Sequence, residues 1–248
     1  MYMNQRPGHV TNDEMVRQAL MTVIDPAGFD KVTSGGRVQP SSSFIAQGVT
    51  CYDPATASLM PTPSSANAQQ ILLADGYTKA SDGTLQKNGQ PLAINVIANP
   101  ALAPGPEYVV SQLTAIGIKA TLTASDFNTY KNLLLGAAGD FDIAIPPLGA
   151  DIPDPSSVIS FYTGAPEPHG RNFSDINDPV VNQETIAAEN SVGTESCAHW
   201  AKVQEALLKG HEYLPLGAPI VDSFARKGFD FAAGTQDSPD LIYIRRTT

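Results

Sequence analysis

Apolar residues recur at helical spacing in residues 11–25, where Met15, Val16, Ala19, Leu20 and Val23 share one face and Thr11 and Glu14 stand at capping-box spacing. An amphipathic helix is predicted there, stopped by Asp25-Pro26. Periodicity then fades: across residues 34–65 Gly, Pro, Ser and Thr dominate, predicting a long ordered loop tied down by Phe44, Ile45, Tyr52 and Leu59. A serine-capped helix carrying Ile71 and Leu72 follows and ends at Gly76.

The middle of the chain alternates between the two periods. Asn88-Gly89 lies between two strand-like runs and predicts a hairpin. Val109, Val110, Leu113 and Ile116 mark a helix closed by Gly117, and Ile118, Ala120 and Leu122 alternate as a strand. Asp126 opens another helix, and "DFDIAI" ending at Ile145 reads as a buried strand. This β-α-β-α-β order predicts an α/β fold with a mixed β-sheet flanked by helices. In the last third, residues 178–190 and 195–210 read as helices, the second with Cys197, Trp200, Ala201, Gln204, Leu207 and Leu208 on one face. Residues 212–228 and 241–246 supply late extended segments.

Composition narrows the function classes. The 248 residues are 42% hydrophobic and 16% charged, enough for a sizeable core. A net charge of −10 opposes the phosphate attraction on which nucleic-acid binders depend, so no nucleic-acid partner is expected. No apolar run approaches the roughly 20 residues that span a bilayer, and "MYMNQRPGHV" lacks the blocks of a signal peptide. Cys51 and Cys197 lack the spacing of a zinc site or a CxxC pair; on residues alone they are either two buried thiols or one bond. His9, His169, His199 and His211 are scattered, so no metal is expected, and His211 is placed to complement the dipole at a helix end.

Catalytic signatures are absent: there is no G-x-S-x-G elbow, P-loop, G-x-G-x-x-G or H-E-x-x-H. One stretch draws the eye, "PPLGADIPDPSSVISFY" at residues 146–162, a stiff acidic loop between a buried strand and a short apolar helix. Asp151 and Asp154 there could be an acid/base pair, as in a hydrolase. Asp-Pro is also a turn initiator, and prolines fix the backbone in one shape. Both readings stay open on spacing alone.

Six stretches, taken in order, resemble the C-terminal half of the family 5 extracellular solute-binding proteins of ABC importers. "TNDEMVRQALMTVID" is similar to the family's N-D-x-x-V-R-x-A-L-x-x-A-I-D, and "ANAQQILLADGY" to its A-x-x-L-L-A-x-A-G-Y. "DGTLQKNGQPLAINVI" resembles D-G-x-x-x-K-x-G-x-P-L-x-L-x-L, and "QLTAIGIKATLTASDFNTY" resembles Q-L-x-x-I-G-I-x-V-x-L-x-x-x-D-x-x-x-Y. "FDIAIPPLGADIPDP" is similar to F-D-x-x-x-x-x-W-x-A-D-Y-P-D-P, and "EYLPLGAPI" to the strand that leaves the lobe.

The resemblance implies a periplasmic-binding-protein-like (type II) lobe, with residues 1–228 as the second, C-terminal ligand-binding lobe and 229–248 as a return segment toward a first lobe absent from this chain. It implies a binding protein and not an enzyme, without a cofactor, capturing a peptide or similar small molecule between two lobes and passing it to ABC permease subunits. A sensory or interaction domain built on the same lobe is the further alternative to the hydrolase. The implied location is the periplasm or the outer face of the cytoplasmic membrane, as a lipoprotein or secreted protein whose signal lies upstream. In peptide-binding members the aspartate matching Asp151 takes the ligand's amino terminus; Leu148 stands where the family has a stacking tryptophan, and Gly149, Ala150 and Asn172 complete the implied ligand set. Export also implies a Cys51–Cys197 disulfide. Apolar surface facing the absent lobe implies self-association of this chain.

Overall fold

The shortest, most apolar runs build the sheet and the longer periodic ones cover it. The structure, a computed structural model, describes residues 1–136, 139–146, 154–218, 226–230 and 245–246. In chain order it contains β1 (Tyr2–Met3), α1 (Glu14–Val23), α2 (Pro26–Ser34), α3 (Ser65–Ala74), β2 (Thr78–Lys79), β3 (Leu85–Lys87), β4 (Gln90–Pro91), β5 (Ala93–Ala98), α4 (Gly105–Ala115), β6 (Lys119–Ala124) and α5 (Phe127–Leu135). Then come β7 (Ile143–Ile145), α6 (Ser156–Ile159), α7 (Pro179–Glu189), α8 (Gly193–Lys209), β8 (Phe229–Asp230) and β9 (Arg245–Arg246).

The main sheet has the order β1-β7-β5-β6. Strand β5 runs parallel to both β6 and β7, while β1 is antiparallel to β7, so the sheet is mixed as expected. Both faces of β5 and β7 are covered, which is why Val96, Ile97, Ile143 and Ala144 are all buried. Helix α1 packs on α3, α4 on β5 and β6, and α7 on α8. Leu20, Met21, Leu113, Phe141 and Val203 join the strands in one continuous core. Each such aliphatic side chain contributes about 1.5–3 kcal/mol by leaving water.

The hairpin forms at Asn88 and Gly89, whose φ angles of 54° and 75° suit a two-residue turn of the primed kind. Its second strand is shorter than the apolar pattern implies, because Leu92 changes sheets. The Leu92 N–H donates to the Leu85 carbonyl inside the hairpin at 2.8 Å, while its carbonyl accepts from Lys119 N at 2.9 Å beside β6. Gly117 seats the hairpin on the α4–β6 turn. Its φ is +92°, its carbonyl accepts from Leu85 N at 2.8 Å, and a Cβ there would lie 2.4 Å from the Gly83 carbonyl oxygen.

Three local expectations are corrected. The cap of α1 is Asp13, whose carboxylate accepts from Met15 N at 2.9 Å; Thr11 is buried and donates its hydroxyl to the Asn4 carbonyl at 2.5 Å. Asp25-Pro26 starts a helix as well as ending one, since Asp25 caps α2 through Ala27 N at 3.0 Å and proline fits the first turn, where no N–H is needed. His211 does not serve the α8 dipole. It lies beyond the helix end at φ 54°, with Nδ1 3.4 Å from Glu14 Oε1, and burial lowers its pKa. Positive charge at that end comes from Lys209 in the last turn and from Arg17, whose buried guanidinium donates to the carbonyls of Gly210 and His211 and to those of Thr11 and Asn12, at 2.9–3.1 Å.

Residues 34–65 do form a loop, broken by a 3-10 turn at Pro54–Leu59, with Ile45 buried and Phe44, Tyr52 and Leu59 packed against the core. The Cys51–Cys197 disulfide is present, with 4.7 Å between Cα atoms, and ties this loop to α8. Entry and exit strands adjoin: Tyr2 bridges Tyr213, and Leu214 N donates to the Met1 carbonyl at 2.9 Å. Strands β8 and β9 pair antiparallel, Phe229 opposite Arg246. Among the described residues no helix is long and apolar enough to cross a membrane.

Candidate functional site

Parallel register brings the carboxyl ends of three strands together. Ala98 is paired with both Ala124 and Ile145, so β5, β6 and β7 finish side by side. Open α/β sheets place ligands in the crevice outside such ends. Two of these strands, β5 and β6, hand over to capped turns. Asn99 Oδ1 accepts from Ala101 N at 2.9 Å, and Asp126 Oδ1 accepts from Asn128 N and Thr129 N at 3.0 and 3.2 Å. Thr129 Oγ1 and N bind the Asp126 carboxylate and hold its pKa below the ordinary range.

Strand β7 delivers the chain into the acidic proline-rich loop. Leu148, Gly149, Ala150 and Asp151 lie outside the described residues. On either side of them, Ile145 is buried in the sheet and Asp154 is hydrogen-bonded. The Asp154 carboxylate accepts from Ser156 N at 2.9 Å and Ser156 Oγ at 2.5 Å, and its carbonyl from Ser157 N and Oγ. This is a side-chain-capped turn opening α6, so Asp154 takes the turn-initiating role.

Behind α6 lies an aromatic cluster. Tyr2 Oη donates to Tyr162 Oη at 2.6 Å, and the Tyr162 ring lies 5.0–5.1 Å from those of Tyr2, Phe44 and Tyr213. Burial pushes the pKa values of Tyr2, Tyr162 and Tyr213 far up, which keeps all three phenols neutral. Asn172 is fully buried below this cluster's loop. Its amide donates to the carbonyls of Gly164 and Ile176 at 3.1 and 2.8 Å and accepts from Ile176 N at 3.0 Å, so it shapes the segment after α6 from within.

Sequence reasoning placed Gln204 on the apolar face of α8 without assigning it a task. It is fully buried: Oε1 accepts from Ser43 Oγ at 2.7 Å and Asp53 N at 3.2 Å, and Nε2 donates to the Cys51 carbonyl at 3.0 Å. An amide among Trp200, Leu207 and Leu208 was the available signal, since a buried polar group needs partners. A separate groove of about 590 Å³ lies at the amino end of β6, lined by Gln69, Lys79, Asp82, Thr84 and Lys119, away from the strands' carboxyl ends. His9, His199 and His211 each face one carboxylate, on Asp142, Glu184 and Glu14. No group of three or more His, Cys, Asp and Glu among the described residues is placed to hold a metal.

Known proteins share this architecture. A substrate-binding protein of Microbacterium hydrocarbonoxydans complexed with 4-hydroxybenzoate hydrazide is 22% identical, with a TM-score of 0.78 over 99% of this chain and 48% of its own. The oligopeptide-binding protein AppA of Bacillus subtilis, in complex with a nonapeptide, is 17% identical with a TM-score of 0.74 over 88% of this chain and 44% of its own. NikA of Brucella suis, in complex with Fe(III)-EDTA, is 23% identical with a TM-score of 0.73, again over 88% and 44%. The chain thus spans about half the length of these structures or less. No curated protein sequence matches it. The fold is that of one lobe of a periplasmic binding protein, and residues 1–168 match the model of the bacterial extracellular solute-binding proteins, family 5 middle. This chain belongs to that family.

Proposed function

We propose that this chain is the second lobe of a solute receptor that captures a peptide-like ligand in a cleft and delivers it to the permease subunits of an ABC importer. The observation that supports the reading is the place of β7, which ends beside β5 and β6 at the carboxyl ends of the strands, immediately before the acidic, proline-rich sequence of residues 146–155. Asp151 lies in sequence between Pro146 and Pro153, and a carboxylate on so proline-rich a stretch meets a cationic group with little ordering cost, so Asp151 is the residue proposed to take the ligand's amino terminus. Leu148, with no aromatic ring, leaves ring stacking out of the recognition. Asn172 takes part by fixing the shape of the segment behind the site. Residues 229–248 form the return toward the first lobe, and the receptor works outside the cytoplasmic membrane, lipid-anchored or secreted.

The test uses the full-length receptor and calorimetric titration with tri-alanine and its N-acetylated form. The free-amine peptide is expected to bind tighter by about 10-fold or more, the value of a charge-assisted hydrogen bond. Asp151→Asn should erase that difference. Binding of oligosaccharides or metal chelates with none of tri-alanine would overturn the peptide assignment, and turnover of the peptide would overturn the receptor reading.

A further inference from the structure

We propose that the free edge of β6 is a self-association surface, along which a second copy of this chain lays its own β6 antiparallel. Strand β6 closes one side of the main sheet and pairs with β5 alone. Lys119 N donates to the Leu92 carbonyl, so the parallel ladder turns the backbone groups of Lys119, Thr121 and Thr123 toward β5 and those of Ala120, Leu122 and Ala124 outward. Among the described residues nothing accepts from Leu122 N or Ala124 N. Thr121, Thr123 and Ala124 are exposed, while Ala120 and Leu122 are half-buried at the rim of the core. Natural edge strands are blunted by proline, bulges or charge. Residues 119–124 hold no proline, pair with β5 without a bulge and carry one charge, Lys119, at the first position.

The occupant follows from the order of charges along this edge. Lys119 stands at its amino end, beside the groove that also holds Lys79, and Asp126 stands just past its carboxyl end. Asp82, the carboxylate in that groove, is engaged by Thr84 N at 2.9 Å. A complementary strand therefore runs antiparallel with its acidic end at the groove, and β6 of a second copy is such a strand. The outward groups meet when a two-fold axis passes through Leu122. Leu122 then exchanges both backbone bonds with Leu122 of the copy, and Ala124 N donates to the copy's Ala120 carbonyl. Ala120 N needs no new partner, since it donates to the Ile118 carbonyl at 3.0 Å. On one face the two Leu122 side chains meet and extend the apolar layer; on the other, Thr121 lies opposite Thr123, a favourable cross-strand pair. Asp126 of each copy arrives beside Lys119 of the other. The net charge of −10 on each chain opposes this only weakly, because exposed charges more than about 8 Å apart are screened at physiological ionic strength. A six-residue strand is a small interface beside the roughly 1,200 Å² of stable complexes, so the pair is weak and depends on concentration.

Sedimentation and amide hydrogen exchange of the full-length protein, followed from micromolar to millimolar concentration, test this. The average mass is expected to rise toward that of a dimer. Over the same range exchange at Leu122 and Ala124 should slow by about 5-fold, while Thr121 and Thr123, already bonded to β5, keep their rates. Ala124→Pro removes an outward N–H at a place where an edge strand tolerates proline, so it should weaken dimerisation by about 10-fold and leave the melting temperature unchanged. Thr121→Asp combined with Thr123→Asp leaves every backbone group in place and sets like charges across the pair; it should weaken dimerisation by about as much, and it decides the matter if the proline variant fails to fold. A monomer at every concentration overturns the proposal. So does a dimer in which Leu122 and Ala124 exchange as fast as in the monomer, since the contact then lies on another face, such as exposed Val180 and Ile186 of α7. A dimer that neither variant weakens overturns it equally.

Discussion

Gln204 and Ser43 lie 161 positions apart and share a buried hydrogen bond of 2.7 Å. The same side chain satisfies a backbone N–H at Asp53 and a carbonyl at Cys51, so one amide organises both limbs of a loop that has little structure of its own. Replacing it strands three polar groups at once. Gln204→Ala is expected to destabilise the protein by about 3 kcal/mol, the sum expected for unsatisfied buried partners less some hydration. Urea denaturation measures this, and limited proteolysis should find new cuts within residues 41–56. A loss under about 1 kcal/mol would show that water replaces the amide without cost.

The disulfide closes a long loop, with 146 positions between its cysteines. In the chain-entropy model such a link raises stability by up to about 5 kcal/mol, through the unfolded chain. The Cys51→Ser, Cys197→Ser double variant should therefore unfold at much lower denaturant while its circular dichroism at low temperature stays native. Equal midpoints for the two proteins would mean that Gln204 and the packing of Phe44 already do the same work.

Gly117 and Gly89 both sit at positive φ, at +92° and +75°, but only Gly117 has a backbone oxygen where a side chain would go. Gly89→Ala should cost about 1 kcal/mol, the strain of the left-handed region alone. Gly117→Ala should cost about 3 kcal/mol and loosen the β2–β4 hairpin, because strain and collision add. Thermal melts of the two variants check the order, and equal losses would refute the steric account.

Glu212 is buried beside Arg17, at 3.8 Å, and accepts from Gln5. Burial raises its pKa above 4.5, with Arg17 pulling the other way more weakly. A raised folded pKa means that the native state holds this proton more tightly than the unfolded chain does. Its contribution is complete below pH 4.5, the unfolded value, and is lost as pH rises through the folded value. Glu212→Gln, which imitates the protonated carboxyl, should flatten the decline in stability over that window in denaturation curves recorded from pH 4 to pH 7. A variant as steep as wild type there would assign the decline to other groups.

Much of this architecture was legible in local patterns. The hairpin at Asn88-Gly89, the helix closed at Gly117 and the strand ending at Ile145 follow from φ preferences and apolar spacing within a few residues. The failures were nonlocal or ambiguous. Tyr2–Met3 is a two-residue strand that exists only because β7 offers it an edge, and Asp25-Pro26 reads equally well as a stop and as a start. For the site, the arrival of β7 beside β5 was readable from the apolar run ending at Ile145. That Gln204 bonds Ser43 and that Phe44 packs on Tyr162 was not, because each pair lies more than 100 positions apart.

The bridge between Tyr2 and Tyr213 has a topological consequence. A unit whose incoming and outgoing strands touch can be spliced into any host that offers two neighbouring strand ends, with almost no loop-closure entropy to overcome.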